Sequence, residues 1–125
     1  MIPYADLHLH TNYSDGSDCP SRVVERAATL GFSVIAVTDH DAVTGVEEAR
    51  IRACALGLGY LSGVELSASY GHVEVHIVGL GIDIGHAPLR AALERLREGR
   101  STRTDRMLEQ LKCCGIELSR EEVEA

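Results

Sequence analysis

The sequence predicts an α/β domain in which parallel strands alternate with outer helices. Apolar, β-branched segments such as 32–37 alternate with segments whose apolar residues recur every three or four positions, as on one face of a helix. Gly31 follows the first of these helical segments, where a helix commonly ends. Strands that alternate with helices favour a parallel sheet with right-handed crossovers, and such sheets gather functional residues at the carboxyl ends of their strands.

The individual elements follow from local signals along the chain. Pro20 suits the first turn of a helix, and Ser119–Glu122 has the spacing of a capping box that opens another. Gly99, Ser101 and Thr102 are expected to break or kink the helical region between 88 and 115. The predicted elements are strand 2–9, helix 20–30, strand 32–37, helix 44–57, strand 59–64, strand 72–80, the helical region 88–115 and a helix opening at 119.

Length, charge and cysteine content limit the class of protein. The 125 residues fit a single domain, in which 1–85 supplies candidate metal ligands and 86–125 is a helical segment. A net charge of −7 argues against general nucleic-acid binding. We expect no membrane association, because no segment is long and apolar enough to span a bilayer and the N-terminus does not look like a signal peptide. Four cysteines without a CxxC pair favour reduced thiols, and therefore a cytoplasmic protein.

The strongest functional signal is a pair of histidines at the end of the first predicted strand. His8 and His10 are two positions apart, so that on a strand both side chains point to the same face. A turn-rich loop follows and brings Asp15 close to the pair. Histidine is the commonest metal ligand among side chains, and the spacing therefore predicts a metal site at the carboxyl end of this strand.

Three further segments place metal-type ligands at the same rim. His40 follows the second strand, Glu65 ends the third, and His76 lies in the strand after it. Mixed imidazole and carboxylate ligands suit zinc, iron or manganese, and six of them exceed the needs of one ion, so we expect several ions bridged by a carboxylate such as Glu65. Taken singly, His76 would more often be a hydrogen-bonded interior histidine and Asp15 a turn residue. The neighbouring aspartates, which are expected to orient the ligands or cap loops, are Asp6, Asp39 and Asp41.

An arginine series marks the second half of the chain. Arg97, Arg100, Arg103 and Arg106 recur every three residues, so that neighbours in the series lie close together on a helix. Guanidinium groups suit phosphate oxygens, which makes Arg100 and Arg103 candidate substrate contacts. The alternative is a solvated helix face on which the arginines pair with nearby acidic residues.

These motifs together resemble the PHP (polymerase and histidinol phosphatase) metal-dependent phosphoesterases. The chain is most similar to the stand-alone bacterial branch that acts on nucleoside bisphosphates and short RNA 5′ ends. The arginine pair and the residues after it resemble this branch more weakly. The matching segments are Asp6–Thr11, Ser14–Gly16, Thr38–Asp41, Gly63–Ser67 and Val75–Gly79.

The resemblance implies the N-terminal part of a distorted (β/α)7 barrel with up to three divalent ions, Mn, Fe or Zn, at its rim. It implies that His8, His10 and Glu65 hold one ion, that Glu65 also bridges to a second ion held by His76, and that Asp15 and His40 hold a third. A metal-bridging hydroxide would attack phosphorus in a phosphorylated small molecule or short oligonucleotide. Arg100 or Arg103 would orient the phosphate.

The chain departs from the family pattern in its second half, where the family supplies a further histidine and an Asp-x-His pair. No histidine follows His86. We therefore expect a fragment of a longer enzyme, or a chain that completes its barrel by self-association, with an exposed sheet edge and apolar face. The alternative functions are a truncated, non-catalytic or regulatory metal-binding module, a histidinol-phosphatase-like enzyme and, more weakly, a module serving a DNA polymerase.

Overall fold

A computed structural model describes residues 4–124 of the chain. The chain divides into two compact units, with the boundary between Ala87 and Pro88. Over these residues the first unit contains a sheet with strand order β1-β2-β3-β4 and two helices. Its elements are β1 (Tyr4–Leu9), α1 (Pro20–Thr29), β2 (Phe32–Val37), α2 (Val46–Leu56), β3 (Gly59–Tyr70) and β4 (Val73–Leu80).

Strands β1, β2 and β3 are parallel, as predicted, and are connected through α1 and α2. The parallel prediction is wrong for β4, which pairs with β3 in an antiparallel hairpin. Only Gly71 and His72 separate these two strands, and a parallel crossover needs a dozen or more residues. Gly71 adopts a positive φ of 63°, which a tight turn requires and glycine allows without strain. The third strand also continues beyond the predicted end at Val64 as far as Tyr70.

Helices α1 and α2 pack together with β2 and form the core of the first unit. The fully buried Ile35 and Val37 of β2 contact Val24 of α1 and Ala49 of α2 in one cluster. The helices contribute three alanines to this cluster, Ala27, Ala49 and Ala53. This packed layer fixes the carboxyl ends of β1 and β2, from which the candidate ligands project.

The second unit begins at Pro88 and contains all but the first residue of α3 (Ala87–Cys113), together with α4 (Arg120–Glu124). The predicted break in the first of these helices is wrong, because α3 is continuous through Gly99 and Ser101. Thr102 donates a hydrogen bond from Oγ1 to the Glu98 carbonyl at 3.0 Å, so that its hydroxyl is satisfied within the helix. A single glycine costs a helix only about 1 kcal/mol, which is too little to interrupt one of this length.

The predicted capping box at the start of α4 is confirmed. The Glu122 N–H donates to Ser119 Oγ at 3.2 Å, and the Ser119 N–H donates to Glu122 Oε2 at 2.7 Å. Within the described part of the chain, none of the helices combines the length and apolar character needed to cross a bilayer.

Candidate metal centre

The two histidines of β1 lie side by side on one face, as their spacing predicts. Their ring centroids are 5.1 Å apart. The Nε2 atoms of His8 and His10 lie 2.8 Å and 2.9 Å from the same oxygen, Oε2 of Glu65. The pair therefore faces a carboxylate from β3 rather than solvent alone.

The loop after β1 folds back and brings Asp15 to the second nitrogen of His10. Asp15 Oδ1 lies 2.7 Å from His10 Nδ1. The Thr11 carbonyl accepts hydrogen bonds from the N–H groups of Ser14 and Gly16, which close the turn. A Cβ on Gly16 would lie 2.6 Å from the His10 carbonyl oxygen, so only glycine permits this close approach.

His40 is placed by an unusual backbone conformation directly after it. Asp41 adopts a positive φ of 51°, its N–H donates to the Glu65 carbonyl at 2.9 Å, and its Oδ1 accepts the Ser67 N–H at 2.8 Å. These bonds hold His40 opposite Glu65 in a single bridge next to β3. The imidazole then lies between the two carboxylates, with Nε2 3.7 Å from Asp15 Oδ2 and Nδ1 3.6 Å from Glu65 Oε2.

Glu65 occupies the middle of the site, and the hairpin brings the sixth candidate to it. The β3–β4 register pairs Ser67 with His76, so that His76 projects on the same face as Glu65. His76 Nδ1 lies 3.2 Å from Glu65 Oε1. The side chain of Glu65 is 7% exposed and that of His76 is 37% exposed.

The structure therefore brings all six predicted ligands together, in three groups whose ligand atoms lie within 4.8 Å of one another. Glu65 belongs to two groups, as expected for a bridging carboxylate. His10 and His40 are each shared as well, which the assignment implied by the resemblance did not include. The groups are His8, His10 and Glu65; His10, Asp15 and His40; and His40, Glu65 and His76.

The ligand atoms of the site cannot all be satisfied by hydrogen bonds to one another, whereas bound cations would satisfy them. Both ring nitrogens of His10 face carboxylate oxygens, yet a neutral imidazole carries a hydrogen on only one nitrogen. His40 Nδ1 is buried and makes no hydrogen bond within residues 4–124. A divalent ion coordinated by such lone pairs would satisfy them, and imidazole with carboxylate is a common ligand set for these ions.

The electrostatics of the two carboxylates agree with this fit. Burial alone would raise the pKa of the Glu65 carboxyl, but the hydrogen bond from His8 and the charges of His40, His8 and His10 lower it below its ordinary value. Burial likewise opposes ionisation of Asp15, and its contacts with His10 and His40 again leave the pKa lowered. Both groups are therefore available as anionic ligands at neutral pH.

Arg100 and Arg103 lie on α3, in the second unit, whereas all six candidate ligands belong to the first. Arg100 lines an open groove of the second unit together with Arg97 and Arg120. Contact of Arg100 or Arg103 with a substrate phosphate remains a prediction.

Two contacts of the site do not follow from the sequence pattern. In the first, Thr11 and Ser14 donate hydrogen bonds to Asp39, one of the aspartates that the sequence predicts to orient ligands or cap loops. Glu74 places Oε1 3.4 Å from His76 Nε2. Its position two residues before His76, on the same face of a strand, was the signal that could have revealed it.

Comparison with known proteins identifies the family that this fold and site define. A PHP domain family model matches residues 6–112. The chain belongs to the PHP domain family, and its α/β fold matches about two fifths of the length of two solved structures that resemble it.

Individual relatives agree with this assignment. The chain is 45% identical over 111 residues to a 3′,5′-nucleoside bisphosphate phosphatase of Chromobacterium violaceum, covering 89% of this chain and 39% of the relative. It is 37% identical over 116 residues to a 5′-3′ exoribonuclease of Haemophilus influenzae, covering 93% and 42%. A solved structure from Bifidobacterium adolescentis, which carries the provisional name metal-dependent phosphoesterase, superimposes with a TM-score of 0.83 at 34% identity, covering 90% of this chain and 39% of that one. The chain thus spans about two fifths of the length of these relatives.

Proposed function

We propose that this chain supplies the first set of metal ligands of a metal-dependent phosphoesterase that hydrolyses phosphate esters of nucleotides or short oligonucleotides. The observation that carries the proposal is the convergence of six imidazole and carboxylate ligands, in three overlapping groups that share Glu65, His10 and His40. A neutral interior histidine is satisfied by one donor and one acceptor, whereas here four imidazoles share two carboxylates.

The proposed role of each ligand follows from its position in the site. Glu65, buried between two groups, would hold two ions close together, while His8 and His10 on one side and His40 and His76 on the other complete their ligand sets. Divalent ions at these positions would activate a water for attack on phosphorus and neutralise the charge of the phosphate oxygens. An ion held by His10, Asp15 and His40 would extend this positive region toward the exposed loop, where a substrate phosphate can approach.

The names of two relatives support a nucleotide substrate. One is named for nucleoside 3′,5′-bisphosphates and another for RNA read from its 5′ end, so both act on nucleotide phosphates. We infer a phosphorylated nucleotide or short oligonucleotide as the substrate, with Mn²⁺, Fe²⁺ or Zn²⁺ as the candidate ions.

The test measures metal binding and phosphate release on the same preparation. We expect the purified chain to bind Mn²⁺ and to release phosphate from a nucleoside 3′,5′-bisphosphate or nucleotides from a 5′-phosphorylated RNA oligomer. Histidinol phosphate serves as the comparison substrate. Glu65→Gln should abolish both binding and release, whereas the control Glu48→Gln, which alters a carboxylate on α2, should leave both unchanged.

A second function is favoured by the length of the match, because the chain covers only 39–42% of these relatives. In this alternative the chain binds metal without turnover, either as a regulatory module or until the remaining part of the barrel or a second copy joins it. Mn²⁺ binding with no phosphate release from any of the three substrates would favour it. Absence of Mn²⁺ binding would contradict both functions.

A further inference from the structure

We infer that Asp39 is the positioning residue that sets the geometry of the His10, Asp15 and His40 group, without itself binding an ion. The inference rests on the metal-binding role proposed above. Asp39 is only 1% exposed, and it lies immediately before His40 on the segment that leaves β2. Its side chain points to the loop that carries Asp15, on the other side of the group.

Both oxygens of the Asp39 carboxylate accept short hydrogen bonds from that loop. Oδ1 accepts the Thr11 N–H at 2.7 Å and the Ser14 hydroxyl at 2.6 Å, and Oδ2 accepts the Thr11 hydroxyl at 2.7 Å. Hydrogen bonds to a charged acceptor are about twice as strong as neutral ones, and burial excludes water that would compete with them. Asp39 belongs to none of the three ligand groups, and both of its oxygens face donors of the loop, so we assign its action to the loop rather than to an ion.

The same residue is tied to the third strand of the site through its backbone. The Asp39 carbonyl accepts the Glu65 N–H at 3.1 Å. Asp39 therefore connects three chain segments that supply ligands, namely the loop with Asp15, the segment with His40 and the strand with Glu65.

The Ser14 hydroxyl transmits this arrangement to the ligands themselves. Besides its bond to Asp39, it lies 3.3 Å from Asp15 Oδ1 and 3.5 Å from His10 Nδ1. Loss of the Asp39 bonds would free Ser14 and Thr11 to turn toward water, and Asp15 would lose the support that holds it beside His10. The consequence should be confined to the group that contains Asp15, since His8 and His76 do not depend on this loop.

The experiment titrates Mn²⁺ into wild-type chain and variants and measures the number and affinity of bound ions. Asp39→Asn keeps the shape of the side chain but removes its charge. We expect it to weaken one class of Mn²⁺ site by about 10–100-fold, the range typical of residues that orient metal ligands. Thr11→Val, which removes one donor, should weaken the same class less, and Thr11→Ser, which keeps the donor, should restore wild-type affinity.

A matched control is available on the helices of the same unit. Glu48 accepts hydrogen bonds from the N–H and the hydroxyl of Ser21, at 3.1 Å and 2.7 Å, just as Asp39 accepts both from Thr11. Glu48→Gln removes the charge from the same kind of acceptor, on a helix that carries none of the ligands, and should leave Mn²⁺ binding unchanged. An equal loss of binding in this control would overturn the positioning role, because general destabilisation would then explain the effect.

A double-mutant cycle tests whether Asp39 acts through Asp15. In an Asp15→Asn background the further change Asp39→Asn should alter Mn²⁺ affinity little, whereas in a His8→Ala background it should retain its full effect. Full additivity in both backgrounds would contradict the inference, as would wild-type Mn²⁺ binding by both Asp39→Asn and Thr11→Val. The proposed function fails separately, if the wild-type chain binds Mn²⁺ as expected but releases no phosphate.

Discussion

The two flanks of the metal centre differ in how firmly the fold holds them. The anchored flank comprises the loop 11–16 and His40, and it is fixed by the buried Asp39 and by the left-handed Asp41. The hairpin flank comprises β4 with His76, and most of its side chains are exposed, including Val73, Val75 and Ile77. Glu65 lies between the flanks and contributes to both.

The difference shows which part of the site is prepared before an ion binds. The segments that carry the ligands of the anchored flank are fixed by hydrogen bonds to the buried Asp39 and Asp41, so little ordering of the backbone remains for the ion to impose. On the hairpin flank, β4 is paired on one side with β3, and its exposed apolar side chains contribute little packing. We therefore expect the anchored flank to dominate stability, and metal binding to stiffen the hairpin flank more.

The largest expected contrast is in packing. Ile35→Ala in β2 should lower the free energy of unfolding by about 2–5 kcal/mol, because Ile35 is fully buried in the core cluster. The same substitution at Ile77 in β4, where the side chain is 53% exposed, should cost less than about 1 kcal/mol. Urea unfolding of the two variants measures the difference, and equal costs would show that β4 is packed as tightly as β2.

The next largest effect is the removal of metal. At a free Mn²⁺ concentration about 100 times the dissociation constant, one bound ion stabilises the folded chain by about 2.7 kcal/mol, and chelation with EDTA should remove this amount. Hydrogen exchange with and without Mn²⁺ then locates the gain. We expect amides of β4 to gain more protection than those of β2. A uniform gain would contradict the expectation that metal binding stiffens the hairpin flank more than the anchored flank.

The ligands could be predicted from sequence, whereas the bonds that hold them could not. His8 and His10 can be recognised by strand periodicity, and Glu65 by its place at the end of the third predicted strand. The bonds from Asp39 to Thr11 and Ser14 span 25 to 28 residues and depend on how two loops meet, which no local pattern encodes. The antiparallel direction of β4 was predictable in principle, because a two-residue connection is too short for a parallel crossover. The prediction of a parallel strand instead extended the strand–helix alternation of the preceding segments to β4.

A smaller contrast separates two histidines from opposite flanks. His40 belongs to two ligand groups and His76 to one. His40→Ala should therefore weaken Mn²⁺ binding at two sites, and His76→Ala at one. Calorimetric titration of both variants measures the number of weakened sites. His72→Ala is the control, since His72 lies in the hairpin turn outside these groups. An equal loss of sites in the two variants would remove the distinction between the flanks.

The smallest expected effect concerns Glu74, a carboxylate outside the ligand groups that lies beside His76. Its Oε1 lies 3.4 Å from His76 Nε2, and its side chain is 70% exposed, so water competes for the contact. Glu74→Gln should weaken Mn²⁺ binding at the His76 group by less than about 10-fold, or about 1.4 kcal/mol. The same titration compares it with Asp39→Asn. A loss as large as that of Asp39→Asn would mean that the hairpin flank is anchored through His76 itself, and that exposure does not determine which flank is prepared for the ion.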